Sequence, residues 1–238
     1  MEIEKCQAIR KKMLFIIPGT ICMMIGDYCM GIEPAGSYVI SGMVSSGFLS
    51  IADWRIAVSN IGGVFGAVFY AMAALPFVDF LKDRLLGLKD KWDRRIMKVY
   101  IAGLIFGCLC FMYFHLACGT LIHDYNVIYD AAGGNTELAL QMWNRSYLVQ
   151  AVPYWTSFIL LGLMVTGGWI ALILRGVLPL GKVWLLAAPL MVAGIGFLLE
   201  ALIPFSFDGF ASGFESFGWI VMFFGGIRCV KQSEGIVR

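Results

Sequence analysis

Residues 97–121 read MKVYIAGLIFGCLCFMYFHLACGTL, and Lys98 is the only Lys, Arg, Asp or Glu among them. Apolar runs of about 18 or more residues are typical of helices that cross a membrane. Such a segment must be helical, because the bilayer core offers the backbone of an isolated segment no other hydrogen-bond partners. This stretch therefore predicts a transmembrane helix and an all-α membrane protein.

The rest of the chain repeats this pattern. It is 60% hydrophobic and only 14% charged, whereas a soluble domain carries about 25% charged residues. We therefore predict one transmembrane domain, residues 1–238, that forms a helix bundle of about six spans. Besides 97–121, the predicted spans are 13–31, 57–79, 147–174, 183–203 and 212–228.

The basic residues predict the orientation of these spans. Of the 18 Lys and Arg residues, all but Arg55 and Arg145 fall in the two terminal segments or in the second-to-third and fourth-to-fifth connections. Connections rich in Lys and Arg stay in the cytoplasm. We expect both termini to be cytoplasmic and the protein to be integral to a bacterial cytoplasmic membrane, with the lipid bilayer as its first partner.

Two connecting segments have patterns of their own. Residues 38–53 are apolar and nearly uncharged, and as a helix they would place Ile40, Met43, Val44, Phe48 and Ile51 on one face. This pattern favours an interfacial or re-entrant segment at the outer mouth of the bundle. Residues 80–96 alternate apolar and charged residues, which predicts a short amphipathic helix on the inner membrane surface.

Ionisable residues inside the spans indicate where a functional site would lie, because charge at membrane depth is costly and often functional. The predicted topology brings such residues from several helices to one level in the outer half of the membrane. The candidate binding residues are Asp27, Arg55, His115, His123, Glu200 and Glu215.

This polar layer has three competing interpretations. It could be a structural ion-pair network in which Arg55 or Arg145 pairs with Asp27, Glu200 or Glu215. It could bind or translocate a small solute, an ion or a lipid. It could also belong to a membrane-embedded enzyme, for which the weak metal-ligand candidates are His115, Cys118 and Asp27.

We favour binding or transport over enzymatic activity, although the sequence leaves an enzyme open. No P-loop or HExxH motif is present, we predict no cofactor, and a net charge of +2 gives no reason to expect a nucleic-acid partner. A disulfide between Cys29 and Cys118, both near the outer face, is left open.

Overall fold

Helices dominate the structure, a computed structural model that describes residues 3–42 and 44–236. It is 83% helical, which confirms the all-α prediction. The α-helices in the described part are α1 (Ile3–Met13), α2 (Ile16–Gly31), α3 (Asp53–Gly87), α4 (Lys91–Ala131), α5 (Thr136–Gly162), α6 (Gly168–Leu174), α7 (Pro189–Leu202) and α8 (Phe214–Ile236). A π-helical turn, Leu163–Gly167, joins α5 to α6.

Five helical segments are long and apolar enough to cross a membrane. They contain five of the six predicted spans, and they fit a membrane-embedded protein. Their bounds are Ile3–Gly31, Asp53–Gly87, Lys91–Ala131, Thr136–Leu174 and Phe210–Ser233.

The remaining predicted span, 183–203, is not one long helix. It consists of a 3-10 helix, Lys182–Ala187, followed by the 14-residue α7. Ala188 is extended between them, because the residue before a proline is pushed out of the helical region and Pro189 then starts α7. At 1.5 Å per residue, α7 is about 21 Å long, shorter than the hydrocarbon core of about 30 Å. The count of six spans therefore stays a prediction.

The helices α2 and α3 pack closely against each other in the bundle. A Cβ atom on Gly19 would lie 3.2 Å from the Gly66 carbonyl oxygen, and one on Gly62 would overlap the Cys22 carbonyl oxygen. Small residues at such positions allow two helix backbones to approach closely. α4 also packs along α3, and His115 of α4 lies against glycines of both α2 and α3, so α2, α3 and α4 fix one another's rotation.

The end of the bundle that holds the C-terminus of α2 is closed by two segments, which we call the cap (residues 32–52 and 203–213). Strand β1 (Glu33–Pro34) pairs antiparallel with β4 (Phe207–Asp208), and β2 (Val39–Ser41) pairs with β3 (Val44–Ser45). Asp208 accepts backbone hydrogen bonds from Gly36 and Ser37 at 3.0 and 3.1 Å. These contacts join the two parts of the cap, which lie far apart in the sequence.

The helical interpretation of residues 38–53 is therefore wrong. The segment contains β2, β3 and a 3-10 turn, Ser46–Ser50, while Met43 lies outside the described residues. Gly42 has a φ of +54°, which breaks a helix and suits a tight turn. Val44 is buried beside Tyr125 and Trp143.

The separate amphipathic helix predicted at 80–96 is also wrong. α3 continues to Gly87, and α4 begins at Lys91 after a short extended link. Asp90 caps α4 by accepting hydrogen bonds from the amides of Trp92 and Asp93 at 2.8 and 2.9 Å. The Asp93 amide is the main reason that the pKa of Asp90 lies below its ordinary value. Arg175 pairs with both Asp90 and Asp93, which ties this link to the end of α6. We call the end of the bundle that contains this link and Arg175 the basic end. Arg238, which the charge pattern also assigns to the basic end, lies outside the described residues.

Candidate functional site

A cavity of about 80 Å³ lies near the cap, between α2, α4, α5 and the start of α8. Its polar lining, which we call the polar wall, is formed by Asp27, His115, Ser212, Glu215 and Ser216. Its aromatic lining, which we call the aromatic wall, is formed by Phe111, Phe114, Tyr154 and Phe158. A cavity of this size and polarity is large enough for several water molecules or a small polar group.

Asp27 is the centre of the polar wall. Its Oδ2 accepts a hydrogen bond from Ser216 Oγ at 2.6 Å, and its Oδ1 lies 3.6 Å from His115 Nε2. The second distance suits an electrostatic contact but is too long for a hydrogen bond. The Asp27 side chain is 20% exposed and that of His115 only 6%. Asp27 thus keeps one oxygen that faces the cavity without a hydrogen-bond donor in the described part of the chain.

The imidazole of His115 is held from behind by α3. Ser59 Oγ lies 3.1 Å from Nδ1, which suits either tautomer, because a hydroxyl both donates and accepts. Gly26 and Gly63 make the room for the ring: a Cβ on Gly63 would come within 2.7 Å of the imidazole Cδ2, and one on Gly26 within 3.0 Å of Cε1. The ring position therefore depends on glycines in two neighbouring helices.

Glu215 supplies the second carboxylate of the cavity from the first turn of α8. Ser212 and Ser216 precede and follow it at a spacing that puts all three on one side of the chain as it enters the helix. Among the described residues that line the cavity, none is Lys or Arg. The lining is therefore acidic, with no cation of the protein to neutralise it.

Arg55, predicted to close an ion pair with Asp27, Glu200 or Glu215, has a different role. Its Nε donates to the Cys29 carbonyl at 2.7 Å and its Nη2 to the Ile32 carbonyl at 2.5 Å. These carbonyls lie at the C-terminus of α2, where the last turn of a helix has no intrahelical donors and a cation is favourable. Arg55 therefore caps a helix and does not line the cavity.

Glu200 also lies outside the cavity, and both oxygens of its carboxylate accept hydrogen bonds from the cap. Oε1 accepts from the amides of Gly209 and Phe210 at 2.6 and 3.0 Å, and Oε2 accepts from Ala211 at 3.0 Å. An anion at the start of a helical segment is stabilised by the unpaired amides there. Glu200 is thus a structural anchor for residues 209–211.

His123 faces away from the cavity as well. Its Nδ1 lies 3.6 Å from Asp53 Oδ1, and the two side chains are 51% and 87% exposed. Exposed pairs of this kind contribute little to stability. Of the six predicted residues, the structure therefore brings together Asp27, His115 and Glu215, and leaves Arg55, His123 and Glu200 outside.

The sequence prediction missed Ser59, Ser212, Ser216 and Tyr154. The spacing of Ser212, Glu215 and Ser216 was a usable signal, because residues three and four apart share a helix face. Ser59 and Tyr154 gave no such signal, since other polar residues lie beside each of them (Asn60 beside Ser59, Thr156 and Ser157 near Tyr154) and the sequence does not mark which one borders a cavity.

The described residues contain no group of three or more His, Cys, Asp and Glu side chains arranged to hold a metal ion. The weak candidates His115, Cys118 and Asp27 all line the cavity but do not form such a group. Cys29 and Cys118 are both free thiols. The structure thus gives no support to a metal centre built from these three side chains.

Comparison with known proteins places the chain in a family. One family profile matches residues 1–233, which include every residue of the cavity. The chain belongs to DUF6796, a family of unknown function. No curated protein and no solved structure matches it. The cavity of this DUF6796 protein is therefore interpreted from its own residues.

Proposed function

We propose that the cavity binds a small cationic solute, in a protein that binds or transports such a solute at a membrane. The observation that carries this proposal is the pairing of Asp27 and Glu215 in one cavity with no Lys or Arg in its lining. Carboxylates at membrane depth are retained where they bind a cation or a proton. A ligand cation would supply the charge that the protein does not.

The aromatic wall supports a cation rather than a purely polar ligand. Phe111, Phe114, Tyr154 and Phe158 line the same cavity as Asp27 and Glu215. Aromatic faces attract cations such as organic ammonium groups through their negative quadrupole. The cavity thus combines two carboxyl groups with surfaces that favour an organic cation.

A structural role for the same polar residues is the second candidate. The contacts from Ser59 to His115 and from Ser216 to Asp27 connect α3 with α4 and α2 with α8. Such buried polar contacts hold helices in register. If this were their only role, the cavity would not discriminate between small cations and anions.

We expect the thiol of Cys118, which lines the cavity, to report this discrimination. In a variant that keeps Cys118 as its only cysteine, a cationic aminoethyl methanethiosulfonate should react at least about tenfold faster than the anionic sulfonatoethyl reagent, because the acidic lining concentrates cations. Both rates are measured by mass spectrometry and divided by the rates for a free thiol. Equal relative rates would contradict the proposal.

Matched variants distinguish the effect of the cavity carboxylates on this preference from the effect of surface charge. Asp27→Asn and Glu215→Gln should each reduce the preference for the cationic reagent. Asp53→Asn makes the same chemical change as Asp27→Asn at an exposed position beside His123 and should leave the preference intact. A loss of preference in Asp53→Asn alone would assign the effect to surface charge instead.

We also propose that the chain crosses the membrane six times, with both termini and the basic end in the cytoplasm. The distribution of Lys and Arg supports this orientation. A sixth crossing would consist of α7 together with the 3-10 helix before it and part of the cap after it.

Labelling of intact cells tests the orientation. Cys6 and Cys229 are fully buried and are poor reporters, so single cysteines are introduced at two exposed positions in a cysteine-free variant. Glu137→Cys should react with an impermeant maleimide added outside, whereas Lys89→Cys should react only after the cells are opened. The reverse pattern would invert the proposed topology.

A further inference from the structure

The helices α5 and α8 both border the cavity, and in the described part of the chain neither has the other as a main packing partner. α5 packs along α4, while α7 packs along α8. Tyr154 and Phe158 of α5 and Glu215 and Ser216 of α8 line the same cavity. The boundary between these two pairs of helices is therefore a gap at the level of the cavity.

α5 and α7 come together only toward the basic end. There Leu190 of α7 approaches Gly162, where a Cβ would lie 2.7 Å from its Cδ1, and the Leu190 amide donates to Thr166 Oγ1 at 3.4 Å. Toward the cap, α7 turns to α8 instead, because Gly196 lies directly against the side chain of Phe214. α7 therefore contacts the end of α5 near the basic end, whereas nearer the cap it contacts α8.

Apolar side chains border this gap. Trp155 packs edge-on against Tyr154 and Phe158, with ring centroids 5.2 and 5.9 Å apart, yet it remains 43% exposed. Ile159 on α5 and Leu198 on α7 are more than half exposed. In a bilayer such side chains contact lipid tails, so the aromatic wall of the cavity continues into a lipid-facing surface.

A hydrogen-bonding position in the cavity is also unfilled. His115 is 6% exposed, and its Nε2 is 3.6 Å from Asp27, beyond hydrogen-bond distance. In the tautomer whose Nδ1–H is donated to Ser59 Oγ, Nε2 presents a lone pair beside the carboxylate. A group with several N–H donors could contact Asp27 and His115 together. An ammonium group has such donors, and a carboxylate or phosphate anion does not.

We infer that the cavity takes the ammonium head of a single-chain amphipathic amine, whose tail leaves sideways through the gap between α5 and α8 into the lipid. This inference rests on the proposed cation site and names its ligand class. The cavity of about 80 Å³ is far below the roughly 300 Å³ of the smallest typical pockets for drug-sized ligands. It therefore holds a head group but not a long tail, which needs the opening.

The head group forms an ion pair whichever partner carries the proton beforehand. An ammonium meets a carboxylate directly, and a neutral amine takes the proton of a carboxylic acid; in both cases the product is one ammonium and one carboxylate. A hydroxyl head of the same chain length gains no such pair. Charge on the head group is thus the property that decides binding.

The test uses the full-length protein with Cys118 as its only cysteine, in nanodiscs of phosphatidylcholine. The measured quantity is the rate at which neutral N-ethylmaleimide modifies Cys118, and three probes compete: ethylamine, n-dodecylamine and n-dodecanol. We expect both amines to slow modification at least about tenfold at saturation and dodecanol to have no effect. We expect n-dodecylamine to act at a lower concentration than ethylamine, because its tail contacts apolar surface.

Each other outcome has one meaning. Protection by ethylamine but not by n-dodecylamine would overturn the sideways opening and leave the cation site standing. Protection by neither amine would overturn both proposals. Equal protection by dodecanol would show that the tail alone suffices and would overturn the role of the ammonium.

Variants check that the carboxylates act through the ligand. Glu215→Gln and Asp27→Asn should weaken protection by n-dodecylamine, and Asp53→Asn should not. Melting curves without ligand accompany each variant, and the comparison of probes on the parent protein stands even if one variant fails to fold. Undiminished protection in the folded Asp27→Asn and Glu215→Gln variants would overturn the inference.

Discussion

Replacing Gly209 with alanine should lower the free energy of unfolding by about 3 kcal/mol or more. Gly209 has a φ of +89°, a conformation that costs a non-glycine residue about 1 kcal/mol. A Cβ there would also lie 2.6 Å from the Gly31 carbonyl carbon and closer still to its oxygen. The backbone of α2 or of the cap would have to move, and the amide bonds to Glu200 would be disturbed. Unfolding by SDS in mixed micelles, followed by tryptophan fluorescence, measures the loss.

Gly36→Ala is the matched control for this substitution. Gly36 has nearly the same φ, +84°, but a Cβ there would meet no atom within 4 Å. It should therefore lose only the conformational part, about 1 kcal/mol. Similar losses in the two variants would show that the contact with Gly31 is not what makes Gly209 necessary.

Gly63→Ala should disrupt the cavity from behind. A Cβ at this position would overlap the side chain of His115, including its imidazole carbons, so α3 and α4 must separate or the ring must leave its position. Overpacking of this kind costs about 1–3 kcal/mol. Because the ring would move relative to Asp27, we also expect the cation preference measured at Cys118 to fall. Unfolding curves and reaction rates are recorded on the same preparation.

Gly194→Ala provides the comparison within a helix. Gly194 lies in α7 with no atom within 4 Å of a Cβ, and alanine is favoured over glycine inside helices by about 1 kcal/mol. It should be neutral or slightly stabilising and should not change the reactivity of Cys118. A loss of stability equal to that of Gly63→Ala would refute the specific role assigned to the His115 contact.

The two segments predicted to be amphipathic helices show the limits of periodicity. In residues 38–53 an apolar pattern with helical spacing coexists with Gly42 and Gly47, and the glycine turn together with the local pairing of β2 with β3 determined the structure. In residues 80–96, α3 runs on from its membrane segment and α4 starts early, because Asp90 supplies a cap. Local pattern and local breakers were both visible, but their relative strength was not.

The predicted polar layer separated for a similar reason. The guanidinium of Arg55 could donate hydrogen bonds to carboxylates or to the free carbonyls at the end of α2. The structure shows that it donates to the carbonyls. Glu200 is occupied by amides of residues 209–211, which a turn folds back onto it. The sequence shows which residues are charged at one level, but not which backbone groups lie beside them.

The sequence by itself determined that this is an all-α chain with helices suited to a membrane, because segment length and hydropathy are local properties that the lipid solvent converts directly into helices. Only the tertiary structure decided which polar residues share a cavity. Asp27, His115 and Glu215 come from α2, α4 and α8, and their meeting depends on how each helix is rotated about its axis. That rotation is set by close contacts between helices, such as those at Gly62 and Gly63, which join residues far apart in the chain and leave no periodic trace in it.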